Sequence, residues 1–270
     1  MRNRLAAGAF GLAGIFVIAL LSSAQTSTSS QPPKTNAGQP AAGAGARDFS
    51  GVWDPAPYMK PAGEVDPWDL RPNPRVLPPF NDWGKAKYEA NAKFIAAGAV
   101  LDCDPFGTAR NFFTPRPFEV IQARDRLVQH WEYYDNWREI WTDGRKIPDD
   151  VEPDYMGYSV GKWDGDAFIV ESAAYNGKQF LSWQGFPLTE SMHQTERWER
   201  VSADTLKITF TFDDPKAYAQ PWHITAFYKL KKDWALDAHP CTLSAIKEYD
   251  ERLNHADKLP GRDYGAPEKK

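Results

Sequence analysis

Leu127-Val-Gln-His-Trp-Glu-Tyr-Tyr134 and Leu206-Lys-Ile-Thr-Phe-Thr-Phe212 alternate with a period of two, and their reading decides the fold. Successive side chains of an extended chain point to opposite faces, so each run is a strand with one face to hide. Working outward, strands are predicted at 118–123, 127–134, 137–142, 158–163, 167–175, 191–201, 206–213, 222–231 and 234–239. Asp164-Gly165, Ala203-Asp204 and Lys232-Asp233 lie between neighbouring runs, where short hairpin turns are expected. A series of neighbouring antiparallel strands closes most readily on itself. The expected class is mainly β, an antiparallel barrel of about 8 to 10 strands with flanking helices, with a β-sandwich as the alternative.

The flanks read differently. Arg2 and Arg4 precede an apolar stretch, Leu5 to Leu21, and Ser22-Ser-Ala24 supplies small residues before Gln25. That is the pattern of a signal peptide over 1–24, which predicts a secreted or periplasmic protein. Residues 25–47 are Ser, Thr, Gln, Pro, Gly and Ala with few bulky apolar side chains, and are expected to be a disordered linker. The remainder, 48–270, is the length of a single domain. Pro55, Pro57, Pro61, Pro67, Pro72, Pro74, Pro78 and Pro79 predict an extended wrap. Asn81-Asp82 opens a helix carrying Trp83, Ala86, Ala90 and Phe94 that ends by Ala97-Gly98. A C-terminal helix over 242–259 would place Ile246, Tyr249 and Leu253 on one side. The two long interruptions, 143–157 and 176–190, exceed hairpin loops and are where a barrel would carry its mouth.

A net charge of −4 with no basic stripe argues against nucleic acid, and no later segment is long and apolar enough for a membrane span after signal cleavage. Cys103 and Cys241 are the two cysteines, and in an oxidising compartment a disulfide between them is expected. No His-x-His, HExxH or paired-Cys motif suggests a metal, and no Gly-x-Ser-x-Gly elbow, P-loop or dinucleotide fingerprint suggests a standard hydrolase or a nucleotide cofactor. No cofactor is expected.

Several segments carry a resemblance. Met156-Gly-Tyr-Ser-Val-Gly-Lys-Trp-Asp-Gly-Asp166 with Phe168-Ile-Val-Glu171, Arg138-Glu-Ile-Trp-Thr-Asp-Gly-Arg145 and Met192-His-Gln-Thr-Glu-Arg197 are three of them. Asp213-Asp-Pro-Lys-Ala-Tyr218 with Pro221-Trp222, and Pro117-Phe-Glu-Val-Ile-Gln122, are the others. Together they resemble a large, mostly uncharacterised family of secreted bacterial β-rich proteins of unknown function. The resemblance implies a secreted β-rich domain and carries no chemistry with it. Gly51-Val-Trp53 on an opening strand is similar to the start of lipocalins and other calycins, which implies a cup able to enclose a small molecule.

Chemistry-bearing side chains fall in two groups. On 127–134, alternation puts Val128, His130, Glu132 and Tyr134 on one face and Leu127, Gln129, Trp131 and Tyr133 on the other. If the mixed polar face turns inward, His130, Glu132, Tyr134 and Arg138 form a cluster in which the imidazole moves protons and Arg138 holds an anionic oxygen. If the Trp face turns inward, the same residues are the solvated outside. On 191–201, His193 shares a face with Thr195, Arg197 and Glu199; it is either a ligand-facing group or part of an exterior ion-pair lattice. His130, Glu132, Arg138 and His193 are thus the candidate catalytic residues, and Tyr134, Arg145, Tyr155, Arg197 and Trp222 the candidate ligand-binding ones.

Eleven Trp, eleven Tyr and fifteen Phe provide rings enough both to pack a barrel and to stack on a flat guest. The expected function is a secreted or periplasmic pocket protein for a small apolar or aromatic molecule. The alternatives are a cofactor-independent acid/base isomerase, hydratase or lyase acting within the barrel, and an envelope scaffold.

Overall fold

Nine strands form a closed barrel in chain order. They are β1 (Gly51–Pro55), β2 (Phe118–Gln122), β3 (Arg126–Trp131), β4 (Asn136–Trp141), β5 (Tyr158–Asp164), β6 (Ala167–Ala173), β7 (His193–Ser202), β8 (Thr205–Asp213) and β9 (Trp222–Lys231). The structure, a computed structural model, describes residues 47–56, 59, 77–96, 105–237, 241, 242, 244, 247, 248, 251 and 254. All of these fall in one compact unit.

Every neighbouring pair is antiparallel except β4–β5, which is parallel. Parity requires this departure from the expected all-antiparallel ring. Each antiparallel pair reverses the chain direction, and a ring of nine such pairs would meet itself pointing the wrong way. One parallel pair restores closure, and it needs a crossover connection of a dozen or so residues. The interruption at 143–157 is that crossover. The seam is short, with Ile140 opposite Ser159 and Trp141 opposite Val160.

β1 pairs with both β2 and β9, Trp53 facing Phe118 on one side and Leu230 on the other. Closure leaves no free edge for the strand expected at 234–239. Trp234–Asp237 are irregular instead, and 238–239 lie outside the described residues. The strand expected to reach Tyr134 stops at Trp131, where Tyr133–Asp135 make a turn of 3₁₀ helix.

The two ends of the barrel are unlike. Short turns at 123–125, 165–166 and 203–204 close one end. At the other, β1 ends and β2 begins, and the connections 132–135, 174–192 and 214–221 lie there too. Helix α1 (Asp82–Ala96) begins where expected, with the Asn81 Oδ1 accepting the Gly84 N–H at 2.8 Å. Its packing face is different. Gly84, Tyr88, Asn91 and Ile95 turn inward, while Trp83 stands 42% exposed. A side chain at Gly84 would put Cβ 1.8 Å from the Ala217 carbonyl oxygen, so only glycine lets the helix lie against the 214–221 connection. Asn91 fastens the helix to the Gly185 carbonyl at 2.9 Å.

A second helix, α2 (Gly107–Phe112), has all six residues buried. It inserts Phe112 among Phe118, Trp131, Trp198, Phe210 and Tyr228, rings contributed by β2, β3, β7, β8 and β9. Phe49, ahead of β1, packs on Trp163, Phe168 and Trp198 toward the tight-turn end. Edge-to-face ring pairs of this kind add roughly 0.5–1.5 kcal/mol each beyond the area they bury.

Of the C-terminal helix, Ser244, Lys247, Glu248, Glu251 and Asn254 are helical, and Ile246, Tyr249 and Leu253 lie outside the described residues. So do the expected signal peptide, nearly all of the expected 25–47 linker and most of the expected Pro-rich wrap. Cys241 is described and Cys103 is not, which places the expected bridge outside the described residues as well.

Candidate ligand site inside the barrel

On β3 the buried, inward side chains are Leu127, Gln129 and Trp131; on β4 they are Arg138 and Ile140, with Asn136 half-buried beside them. The register matches them in pairs, Gln129 opposite Arg138, Leu127 opposite Ile140 and Trp131 opposite Asn136. His130 instead faces Trp137 on the outer side. The expected cluster of His130 with Arg138 is therefore split across the wall. Two consecutive left-handed residues, Tyr134 (φ 64°) and Asp135 (φ 53°), set the hairpin register one residue away from the one that would have joined them. A one-residue shift moves every side chain of a strand to the opposite face.

Arg138 is buried and donates from Nη1 and Nη2 to the two carboxylate oxygens of Glu196 on β7, at 2.6 and 3.0 Å. Gln194 Nε2 donates to the same carboxylate at 2.7 Å and Trp198 Nε1 at 2.8 Å. A carboxylate accepts about four hydrogen bonds, so Glu196 is saturated. Tyr175 adds its hydroxyl to Gln194 at 3.3 Å, and desolvation raises the Tyr175 hydroxyl pKa well above its ordinary value. The Arg138 guanidinium also lies over the rings of Phe112 and Trp131, 5.5 and 5.8 Å from their centroids.

Beside this satisfied network sits an unsatisfied one. Gln129 Nε2 and Oε1, Trp131 Nε1 and Arg138 Nε are buried and have no hydrogen-bond partner among the described residues. Gln129 and Arg138 are cross-strand neighbours, and Trp131 follows two positions along the same face. Native interiors pair the great majority of such atoms, and each orphan costs about 1–3 kcal/mol. These orphans cluster on three adjacent side chains among aromatic rings.

α2 roofs the interior and is bolted down on several sides. Asn136 Nδ2 donates to Asn111 Oδ1 at 3.0 Å, Thr108 Oγ1 to the Met156 carbonyl at 2.6 Å, and the Tyr228 hydroxyl to the Phe112 carbonyl at 3.2 Å. Gly107 (φ +72°) starts the helix where a Cβ would come within 2.6 Å of the Tyr155 carbonyl oxygen. Arg110 is buried with its guanidinium against both Phe106 and Trp183, 3.9 and 4.2 Å from the ring centroids, the two rings meeting edge to face at 4.8 Å.

The other expected residues are spread over the molecule. His130 Nε2 lies 2.5 Å from Asp135 Oδ1, and its ring stacks on the half-exposed Trp137 at 3.9 Å. Glu132 pairs with Arg116 at 3.7 Å on the rim. Tyr134 packs edge-on to Phe106 and donates to the Tyr133 hydroxyl at 2.9 Å. His193 and Arg197 are on the outer wall, where Arg197 meets Asp164 at 3.6 Å and Glu199 at 3.4 Å in an exterior ion-pair lattice. Arg145 chelates Asp143 at 2.5 Å and stacks on Trp141; the bond holds the Asp143 carboxyl below its usual range. The Tyr155 carbonyl accepts from Gln179 at 2.7 Å. Trp222 is the one expected ligand-binding side chain that faces inward, packed on Phe212, Tyr218 and Phe186.

Sequence reasoning missed Gln129, Trp131, Asp135 and the role of Phe112. The available signal was phase. Gln129 alternates in step with Trp131, and Glu196 with Trp198, and large rings drag their phase-mates inside.

Comparison with family models and with curated proteins returns no match.

Proposed function

We propose that this protein is a secreted or periplasmic small-molecule-binding barrel, its guest a compact, largely aromatic or apolar molecule held next to Gln129, Trp131 and Arg138. The observation that carries the reading is the cluster of buried polar atoms left without partners in an interior otherwise closed by rings. A barrel serving only as a scaffold gains nothing from such a patch, because apolar side chains of equal volume would fill it at lower cost. A closed β-barrel with a buried aromatic cluster suits the task, since it excludes water around one bound molecule. The long connections and α2 gather at one end, which makes that end the route of entry.

Native mass spectrometry on the full-length mature protein recovered from a bacterial periplasm tests the reading. A discrete adduct lost on denaturation is the expected result. A clean unliganded mass, persisting after incubation with aromatic metabolite extracts, rejects it.

A second reading has one observation in its favour. The His130–Asp135 pair on the rim has the pairing of a general base and its orienting carboxylate, held by two left-handed residues. If His130→Ala leaves a measured turnover of any bound guest intact, that reading falls.

A further inference from the structure

We propose that the guest is a neutral molecule presenting a carbonyl-type oxygen to Trp131, Gln129 and Arg138, with carboxylates and plain hydrocarbons both rejected. This inference rests on the small-molecule reading above and specifies the chemistry that the site recognises.

The argument is a count of hydrogen-bonding capacity. Three unpartnered groups are donors: the Trp131 indole N–H, the Arg138 Nε–H and the Gln129 amide nitrogen. One is an acceptor, the Gln129 amide oxygen. Glu196 cannot relieve the donors, because Arg138, Gln194 and Trp198 already occupy its oxygens. A complementary guest is therefore rich in acceptors with at most one donor, the pattern of a secondary carboxamide, a lactam or a hydroxy-ketone. A hydrocarbon leaves all four atoms unmet, and each unmet buried group carries its desolvation cost.

Charge decides between a neutral oxygen and an anion. Arg138 looks like an anion receptor, but its charge is cancelled by a bidentate pair with Glu196, and both side chains are almost wholly buried. An incoming carboxylate would be a second negative group beside Glu196, with no further cation at the cluster among the described residues. Uncompensated buried charge is far more costly than a neutral dipole. The rings then set the body of the guest: Phe112 and Trp131 stand edge to face, 5.2 Å apart, and favour a flat partner.

The test uses the full chain with nitrogen-15 label and follows the indole N–H resonances of its eleven tryptophans, with Trp131→Phe identifying the one of interest. N-Methylacetamide and N-methylbenzamide are the neutral probes, benzoate the anionic one and ethylbenzene the hydrocarbon, each equilibrated with protein refolded in its presence. The expected result is a saturable shift of the Trp131 indole resonance with a carboxamide and none with benzoate. Gln129→Leu is expected to weaken the carboxamide about tenfold, and it keeps the fold because it removes orphan atoms rather than a satisfied pair.

No shift with either carboxamide, as for a patch filled by water alone, overturns the proposal; so does an equal shift with benzoate. If ethylbenzene binds wild type and Gln129→Leu equally well, the barrel binds small molecules without this polar recognition. In that case the specificity claim fails and the binding function stands. If no probe binds and the recovered protein has a clean mass, both fail.

Discussion

At the scale of single residues, Glu196 is the most committed side chain in the barrel. It holds a guanidinium, an amide and an indole at once, with no exposed surface. Removing one member of a buried ion pair strands the other charge, a loss of about 3–5 kcal/mol, whereas replacing both with apolar groups costs far less. Glu196→Ala and Arg138→Ala are each expected to lower stability by about that amount, and Arg138→Met with Glu196→Leu by much less than their sum. Urea midpoints for the two singles and the double decide it, because additive losses would mean that the two groups are not one unit. The alternation of Glu196 in step with Trp198 is legible in the sequence, but its partner is not: Arg138 and Glu196 are 58 residues apart in sequence and meet only across the closed interior.

At the scale of elements, turns and short helices decide what the strands present. The β7–β8 hairpin is tied by Asp204, whose carboxylate accepts from Ser202 Oγ at 2.6 Å, Thr205 Oγ1 at 3.0 Å and Lys229 Nζ at 3.2 Å. These bonds, the Ser202 one foremost, hold its pKa at about 2 against an ordinary 3.8. A depressed carboxylate lends stability above its unfolded pKa and loses it as pH falls through the folded one. Wild type is therefore expected to melt above Asp204→Asn at neutral pH, the gap closing between about pH 4 and about pH 2. A gap independent of pH would show that the carboxylate's charge does nothing for the hairpin. That turn was legible as Ala203-Asp204. The Tyr133–Asp135 turn was not, because nothing in Glu-Tyr-Tyr-Asp demands two left-handed residues. Helix α2 also escaped notice: buried on every side, it lacks the amphipathic stripe that betrays a surface helix.

At the scale of the whole molecule, the parallel seam is the weakest stretch of the wall. β4 and β5 match at two positions, while β7 and β8 pair from His193 to Ser202. Segments with few paired backbone groups open at lower free energy than the rest of a domain. Native-state hydrogen exchange should find the seam amides of β5 exchanging well ahead of those in β7 and β8. Equal rates across the barrel would mean that it opens as a unit. The seam lies beside Arg138, so a loosened seam would also loosen the polar cluster.

Period-two alternation determined from the sequence alone that the chain is mainly β, where most of its strands run within a few residues, and that each has two unlike faces, while barrel and sandwich both remained open. Alternation is local: it depends only on the geometry of an extended backbone. Which face points inward is not local. It was decided when β9 closed on β1, when the 133–135 turn set the β3–β4 register, and when Phe112 took the centre. Those events placed Gln129, Trp131, Arg138 and Glu196 inside and left His130, His193 and Arg197 on the outer side. Burial of the largest rings outweighs the preference of any single polar residue, so the polar groups went where Trp131 and Trp198 carried them.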